Sequence, residues 1–279
     1  MNQQDINALK QALTNPKDIV IVPHRNPDGD AYGSCLALHH YLIKKGHRSQ
    51  VISPNDAPEF LKWLPGADQI LIFEENEKKA SDLLHQAELI FTLDFNALHR
   101  VGSAMQAQLE TATARFVMID HHEQPDDYAA IRYSDSTMSS TSEMVYHFFD
   151  LLGALEEIDT SMATCLYTGI LTDTGSFKFP STTQITMNVA ARLMGHGIDH
   201  TRIHNNLYDT NSFSRLQLLA TALKNLRTVD ACKTAYITLS QQEMSRHNFK
   251  KGDTEGFVNY GLSVKGIVFA AIFIEDQKQ

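Results

Sequence analysis

The sequence predicts an α/β protein, with a parallel sheet carrying helices on both faces and a smaller α/β region behind it. Three observations predict this. Between Asp18 and Ile119, short apolar runs alternate with helix-forming stretches, the rhythm of a parallel sheet with crossover helices. The runs are continuous rather than alternating, as strands buried on both faces require. After about Asn211 the composition shifts toward a β-rich tail, which places a second, smaller domain at the end of the chain.

The elements follow in order. The polar start, MNQQDINALKQAL, is helix-like and lacks the apolar stretch of a secretory signal. DIVIVP (18–23) reads as a buried strand, a loop carries His24 to Gly29, and 30–45 reads as a helix closed by Gly46. Strands are expected at 49–53 and 70–73, a helix at 77–86, and a strand at 88–93 running into Asp94. A helix at 104–114 precedes RFVMI (115–119), which ends at Asp120. Helices are then expected at 140–152, 160–171, 182–194 and 212–226. In the tail, 233–239 and 264–274 read as strands, with short helices at 241–247 and 254–260.

Composition bounds the function classes. The 279 residues are 43% hydrophobic and 20% charged, ordinary for a globular chain with a sizeable core. A net charge of −9 disfavours a protein that grips long duplex nucleic acid by charge alone. A small phosphorylated substrate stays compatible if bound cations supply the positive charge. No run of about 18 apolar residues suggests a membrane span. Cys35, Cys165 and Cys232 are widely spaced, without a CxxC pair. They are read as free buried thiols, and a reducing cytoplasm is the expected compartment.

Three predicted strands end in acids or histidines: the first leads to His24, Asp28 and Asp30, another to Asp94, and another to Asp120, His121 and His122. Ligands of open parallel sheets bind beyond the carboxyl ends of the strands, so these groups are expected to converge. A fourth contribution comes from Asp173, at the end of the apolar helix CLYTGIL. Aspartates with histidines and no cysteine suit Mn²⁺, Fe²⁺, Mg²⁺ or Zn²⁺. Packed carboxylates repel one another unless cations neutralise them. A single Asp after a strand is commonly only a helix cap or turn residue, and Asp28-Gly29 and Asp30 each admit that reading. The joint placement at strand ends is what lifts the set above it. His39-His40, inside the first helix of the sheet domain, is read as structural.

The string VPHRNPDGDAYGS, the strand end at Asp94, the triplet Asp120-His121-His122 and LYTGILTDTGSFKF together resemble the DHH phosphoesterase superfamily. The resemblance spans about residues 5–275, with all four motifs in order. It implies two divalent metal ions, Mn²⁺ being usual, one held by His24, Asp28 and Asp94 and the other by Asp30, Asp94, His121 and Asp173. It implies that Asp94 bridges them beside a nucleophilic water, that Asp120 orients the neighbouring histidines, and that His122 faces the phosphate. It is similar in detail to the stand-alone enzymes that degrade very short RNA and dephosphorylate 3′-phosphoadenosine 5′-phosphate. Arg100, in LHRVG, and Asn26 are the substrate-binding candidates.

The implied organisation is a DHH catalytic domain over 1–195, a helical linker over 196–228 and a partial substrate-binding domain over 229–279. The family's glycine-rich GGGH-type motif has no counterpart after Leu239, although DTEGFVN (253–259) resembles the first half of that domain. The chain is read as cut short rather than as having lost its substrate clamp. A monomer or homodimer acting on short RNA or a nucleotide phosphate is expected. Two other readings stand beside it: a pyrophosphate or short-polyphosphate hydrolase, and a metal-retaining nucleotide-binding regulatory module with little catalysis.

Overall fold

Three apolar runs of the sequence, IVIV, LIFTL and RFVMI, become neighbouring strands because each has two apolar faces to cover. In the computed structural model, which describes Met1, residues 3–250 and residues 252–276, the chain divides into two compact units, Met1–Leu207 and Tyr208–Gln279.

The first unit begins with helix α1 (Gln3–Ala12) and strand β1 (Asp18–Val22), followed by α2 (Gly29–Lys44), β2 (Arg48–Ser53) and the short β3 (Leu71–Ile72). It continues through α3 (Glu77–Gln86), β4 (Leu89–Leu93), α4 (Ser103–Thr111), β5 (Arg115–Asp120) and β6 (Ile131–Ser134). Four helices close it: α5 (Thr141–Leu152), α6 (Thr160–Asp173), α7 (Gln184–Met194) and α8 (His200–Tyr208). All six strands are parallel, in the order β3-β2-β1-β4-β5-β6. The order reverses between β1 and β4, which creates a crevice at their carboxyl ends.

Alternate side chains of the central strands enter different cores. Ile19 and Ile21 of β1 pack with Leu36 and Leu42 of α2 and Leu166 and Ile170 of α6. Val20 and Val22 pack on the other face with Ala80 and Leu84 of α3 and Met105 and Leu109 of α4. Helices therefore cover both faces, as the sequence predicts, and Val, Ile, Leu and Phe at both parities are what such strands need.

In the second unit, α9 (Phe213–Asn225) leads into β7 (Arg227–Val229), β8 (Thr234–Leu239), α10 (Gln241–Arg246), α11 (Phe257–Leu262) and β9 (Phe269–Ile274). Strand β8 pairs antiparallel with β7 and parallel with β9. Leu218 and Ala222 of α9 join Ile237, Leu239, Met244 and Phe257 in its core.

Several expectations are corrected. The strand expected at 264–274 starts only at Phe269, because Gly266 adopts φ +86° and Ile267 N–H closes a turn onto the Val264 carbonyl. Strands β6 and β7 and helix α8 are additions. Helix α6 runs two residues past the expected end, to Asp173. Cys35 and Cys165 are buried as expected, whereas Cys232 is exposed. Among the described residues no helix is long and apolar enough to cross a membrane.

Candidate metal centre

Asp28 caps a helix with one carboxylate oxygen and turns the other toward His24. Its Oδ1 accepts hydrogen bonds from the Asp30 and Ala31 N–H groups at 3.0 Å, so Asp28 is the N-cap of α2. Its Oδ2 lies 3.8 Å from His24 Nε2. Asp30 therefore sits in the first turn of α2 and points across to α5.

Asp94 follows β4 at φ +66°, a left-handed conformation that Asp tolerates better than most residues and that concentrates at functional sites. Its N–H still donates to the Ile119 carbonyl at 3.1 Å, so its backbone continues the sheet. Asp94 is 2% exposed, and its carboxylate faces two ways. Oδ2 is 3.5 Å from His24 Nε2, and Oδ1 is 3.5 Å from His121 Nε2. His121 Nε2 also lies 3.6 Å from Asp173 Oδ2 and 4.0 Å from Asp30 Oδ2. The six residues named from the sequence as ligands thus come together, with Asp94 between His24–Asp28 and Asp30–His121–Asp173.

The close approach of α2 and α6 brings Asp30 and Asp173 together. A Cβ on Gly33 would stand 2.5 Å from the Cys165 carbonyl, and one on Gly169 would fall on Ser142 Oγ. Past Asp173 and Thr174, residues Gly175, Ser176 and Phe177 all adopt positive φ. The Thr174 carbonyl accepts from the Lys178 and Phe179 N–H groups and closes the turn.

The donor set fits divalent cations. Ligand oxygens and nitrogens around an ion at about 2.1 Å are separated by about 3.0–3.5 Å. Donor atoms within each of the groups His24–Asp28–Asp94, Asp30–His121–Asp173 and Asp94–His121–His122 lie within 4.8 Å of one another. His24 Nδ1 lies 2.9 Å from the Arg25 carbonyl, and His121 Nδ1 lies 3.3 Å from that of Met138. These contacts leave each Nε2 to the acids, the posture of an imidazole ligand. Burial, reinforced by Asp30, pushes the Asp94 carboxyl well above the usual range. Burial, with Asp30 and Asp28 adding repulsion, pushes Asp173 up to about 8. Burial opposes protonation of His24, yet hydrogen bonds to Asp28 and Asp94 drive it up to about 10. Acids crowded in this way repel one another unless positive charge neutralises them, which fits a site for cations.

The remaining candidates divide. Asp120 is fully buried, and its Oδ1 lies 2.7 Å from His122 Nδ1. Its Oδ2 accepts from the His122 N–H at 3.2 Å. His122 Nδ1, although 3.8 Å from Asp94 Oδ1, is engaged by Asp120, so Asp120 orients His122. His121 is oriented instead by Met138, a correction to the expectation that Asp120 serves both histidines. Asn26 is exposed at φ +57°, and its N–H donates to Asn55 Oδ1 at 2.7 Å. The exposed Arg100 joins the site's loops through its backbone, its carbonyl accepting from the Arg25 N–H at 2.8 Å.

Sequence reasoning missed three contributors. Asn55 lies beyond β2, beside β1, where the rule of strand ends applies equally. Thr141 and Ser142 read only as part of a polar helix start. Their N–H groups donate to Asp30 Oδ2 at 2.6 Å and Oδ1 at 2.8 Å, and Thr141 Oγ1 donates to Asp94 Oδ1 at 2.9 Å. The positive end of α5 thus faces two buried carboxylates.

Fold and centre together define a class: parallel α/β proteins with an acid–histidine cluster for divalent metal at the carboxyl edge of the sheet. Residues 18–170 match the DHH family, N-terminal domain, and the chain belongs to that family. It is similar to the bifunctional oligoribonuclease and PAP phosphatase NrnA of Thermus thermophilus, 34% identical over 181 residues, which cover 64% of this chain and 50% of that protein. It is similar to the protein of the same name from Bacillus subtilis, 25% identical over 263 residues, or 94% of this chain and 79% of that one. The crystal structure of an exopolyphosphatase-related protein from Bacteroides fragilis superposes with a TM-score of 0.96 at 37% identity, covering 100% of this chain and 82% of that one.

Proposed function

We propose that this protein is a phosphoesterase that uses two divalent ions, Mn²⁺ by preference, to hydrolyse short oligoribonucleotides and 3′-phosphoadenosine 5′-phosphate. The observation that carries the reading is the two-sided exposure of the Asp94 carboxylate to His24 Nε2 and His121 Nε2, each at 3.5 Å. His24, Asp28 and Asp94 would hold one ion, and Asp30, Asp94, His121 and Asp173 the other. Ions so placed would supply charge neutralisation and a water acidic enough to attack at neutral pH.

The chain's own groups do the rest. Asp120 holds His122 by Nδ1, which leaves Nε2 to stabilise a phosphoryl oxygen and to give a proton to the leaving oxygen. Arg100 and Asn26 are the proposed contacts to substrate phosphate, and the unit Tyr208–Gln279 is the proposed nucleotide-holding part. The substrate class is supported by the NrnA names of the Thermus and Bacillus relatives.

A second reading, hydrolysis of pyrophosphate or short polyphosphate, is favoured by the description of the Bacteroides structure as exopolyphosphatase-related. One assay separates the two. With Mn²⁺ present, a ribodinucleotide, 3′-phosphoadenosine 5′-phosphate, pyrophosphate and a short polyphosphate are offered in parallel. Turnover of the first two supports the proposal, and turnover of only the last two replaces it. Tight nucleotide binding without turnover of any would point to a regulatory module.

A further inference from the structure

We propose that Thr141 is a positioning residue that fixes the Asp94 carboxylate in the orientation that serves both halves of the metal centre. This rests on the two-ion reading above.

An aspartate carboxylate rotates in a broad, two-fold well about its last torsion. Bridging two ions requires one particular plane, with one oxygen presented to each. The left-handed backbone of Asp94 sets where the side chain starts and leaves that plane open. The histidine nitrogens stand farther off, at 3.5 Å, which is the outer limit of a hydrogen bond and the spacing of two ligands on one ion. Among the described residues, the shortest hydrogen bond to the Asp94 carboxylate comes from the Thr141 hydroxyl, 2.9 Å from Oδ1. That contact turns Oδ1 toward His121 and thereby Oδ2 toward His24.

The donor is itself held rigidly. Thr141 is fully buried, and a buried hydroxyl keeps its hydrogen-bond partner. A β-branched residue has few χ1 choices. Its own N–H is bound to Asp30 Oδ2. One residue therefore touches an acid assigned to each half: Asp30 through its backbone and Asp94 through its side chain. The helix end carrying it is capped by Ser140, whose Oγ accepts from the Glu143 N–H at 3.0 Å. Glu143 in turn accepts from the hydroxyls of Ser139 and of Thr186 in α7. The centre is thereby fastened to α5 and α7, elements that contribute no ligand.

The test uses the full chain and Mn²⁺ alone. Wild type, Thr141→Val and Thr141→Ser are compared by calorimetric titration, by electron paramagnetic resonance and by thermal unfolding of the metal-free proteins. Wild type should bind two ions that give an exchange-coupled spectrum. Thr141→Val keeps the shape and loses the donor. It should weaken binding of the second ion about 10- to 100-fold and give the spectrum of an isolated ion, while still unfolding cooperatively. Thr141→Ser should restore the coupled spectrum. A Thr141→Val protein with two coupled ions at wild-type affinity overturns the inference. So does equal impairment of both variants alongside loss of cooperative unfolding, which makes the hydroxyl merely structural. A wild type that binds no ion pair overturns the two-ion reading and the inference with it; an intact wild-type pair beside an unimpaired Thr141→Val overturns the inference alone.

Discussion

Gly33 of α2 lies against Cys165 of α6 so closely that a Cβ on Gly33 would sit 2.5 Å from the Cys165 carbonyl oxygen and 3.0 Å from the Gly169 nitrogen. Both obstacles are backbone, so they yield only by moving a helix. Gly33→Ala should gain up to about 1 kcal/mol of helix propensity and lose about 1–3 kcal/mol to overpacking. The net expectation is a melting temperature lowered by a few degrees. Because these helices carry Asp30 and Asp173, Mn²⁺ affinity should fall as well. Calorimetric unfolding and a Mn²⁺ titration on one preparation check both; an unchanged melting temperature and affinity would remove the interface from the account.

The cluster should cost the metal-free protein stability. Asp94 is ionised in the unfolded chain at pH 7, and its folded carboxyl is pushed well upward by burial and by Asp30. An acid whose pKa rises on folding opposes folding at every pH above its unfolded value. Asp94→Asn keeps the shape, tolerates φ +66° and cannot ionise. Without metal it should unfold a few degrees higher than wild type, an increment on the order of 1 kcal/mol. It should also lose turnover and its Mn²⁺ pair. A metal-free Asp94→Asn protein less stable than wild type would contradict the electrostatic reading.

His122 and Asp120 should separate catalysis from metal binding. His122→Asn should lower kcat by about 10²–10⁴-fold with little effect on Mn²⁺ affinity. Asp120→Asn should also lower kcat, because it loosens the 2.7 Å contact to Nδ1. If His122→Asn strips the metal instead, His122 is a ligand and the assignment of its ring is wrong.

A pH signature should come from outside the centre. Burial, with a smaller contribution from His40, lowers His39 from an ordinary 6.5 to about 4, and its Nδ1 lies 3.1 Å from Ser49 Oγ. Between these pH values the unfolded chain binds a proton at His39 that the folded chain refuses. Stability is thus greatest above pH 6.5, falls as pH drops toward 4 and loses nothing further from this group below that. The contribution is on the order of 2 kcal/mol. In His39→Gln that share of the acid loss should vanish, while His47, also lowered by burial, titrates in both proteins. Parallel denaturant curves at pH 7 and pH 4.5 give the double difference; equal losses would refute it.

Much of the sheet was legible because buried parallel strands spell continuous apolar runs: IVIV, LIFTL and RFVMI identify β1, β4 and β5, and the acids after them mark the crevice. Strand β6 was missed because IRYS is short and alternates buried with exposed residues. Strand β7 was missed because all three of its residues are exposed. Helix α8 is polar, with Ile203 its one buried residue, so it offered no apolar stripe. In the centre, acids and histidines advertise themselves by their chemistry. Thr141 does not: within SSTSE a threonine reads as helix-start vocabulary, and only its burial against Asp94 shows what the hydroxyl does. Asn55 was hidden similarly, its role resting on a backbone bond to Asn26.

The central claim is that six side chains around Asp94 hold a pair of divalent cations. Crystals soaked in Mn²⁺ and measured at the manganese absorption edge test it most directly. Two anomalous peaks should appear, one on each side of the Asp94 carboxylate and about 3.5–4 Å apart, one beside His24 and the other beside His121. No peak, or a lone peak that does not touch Asp94, would contradict it.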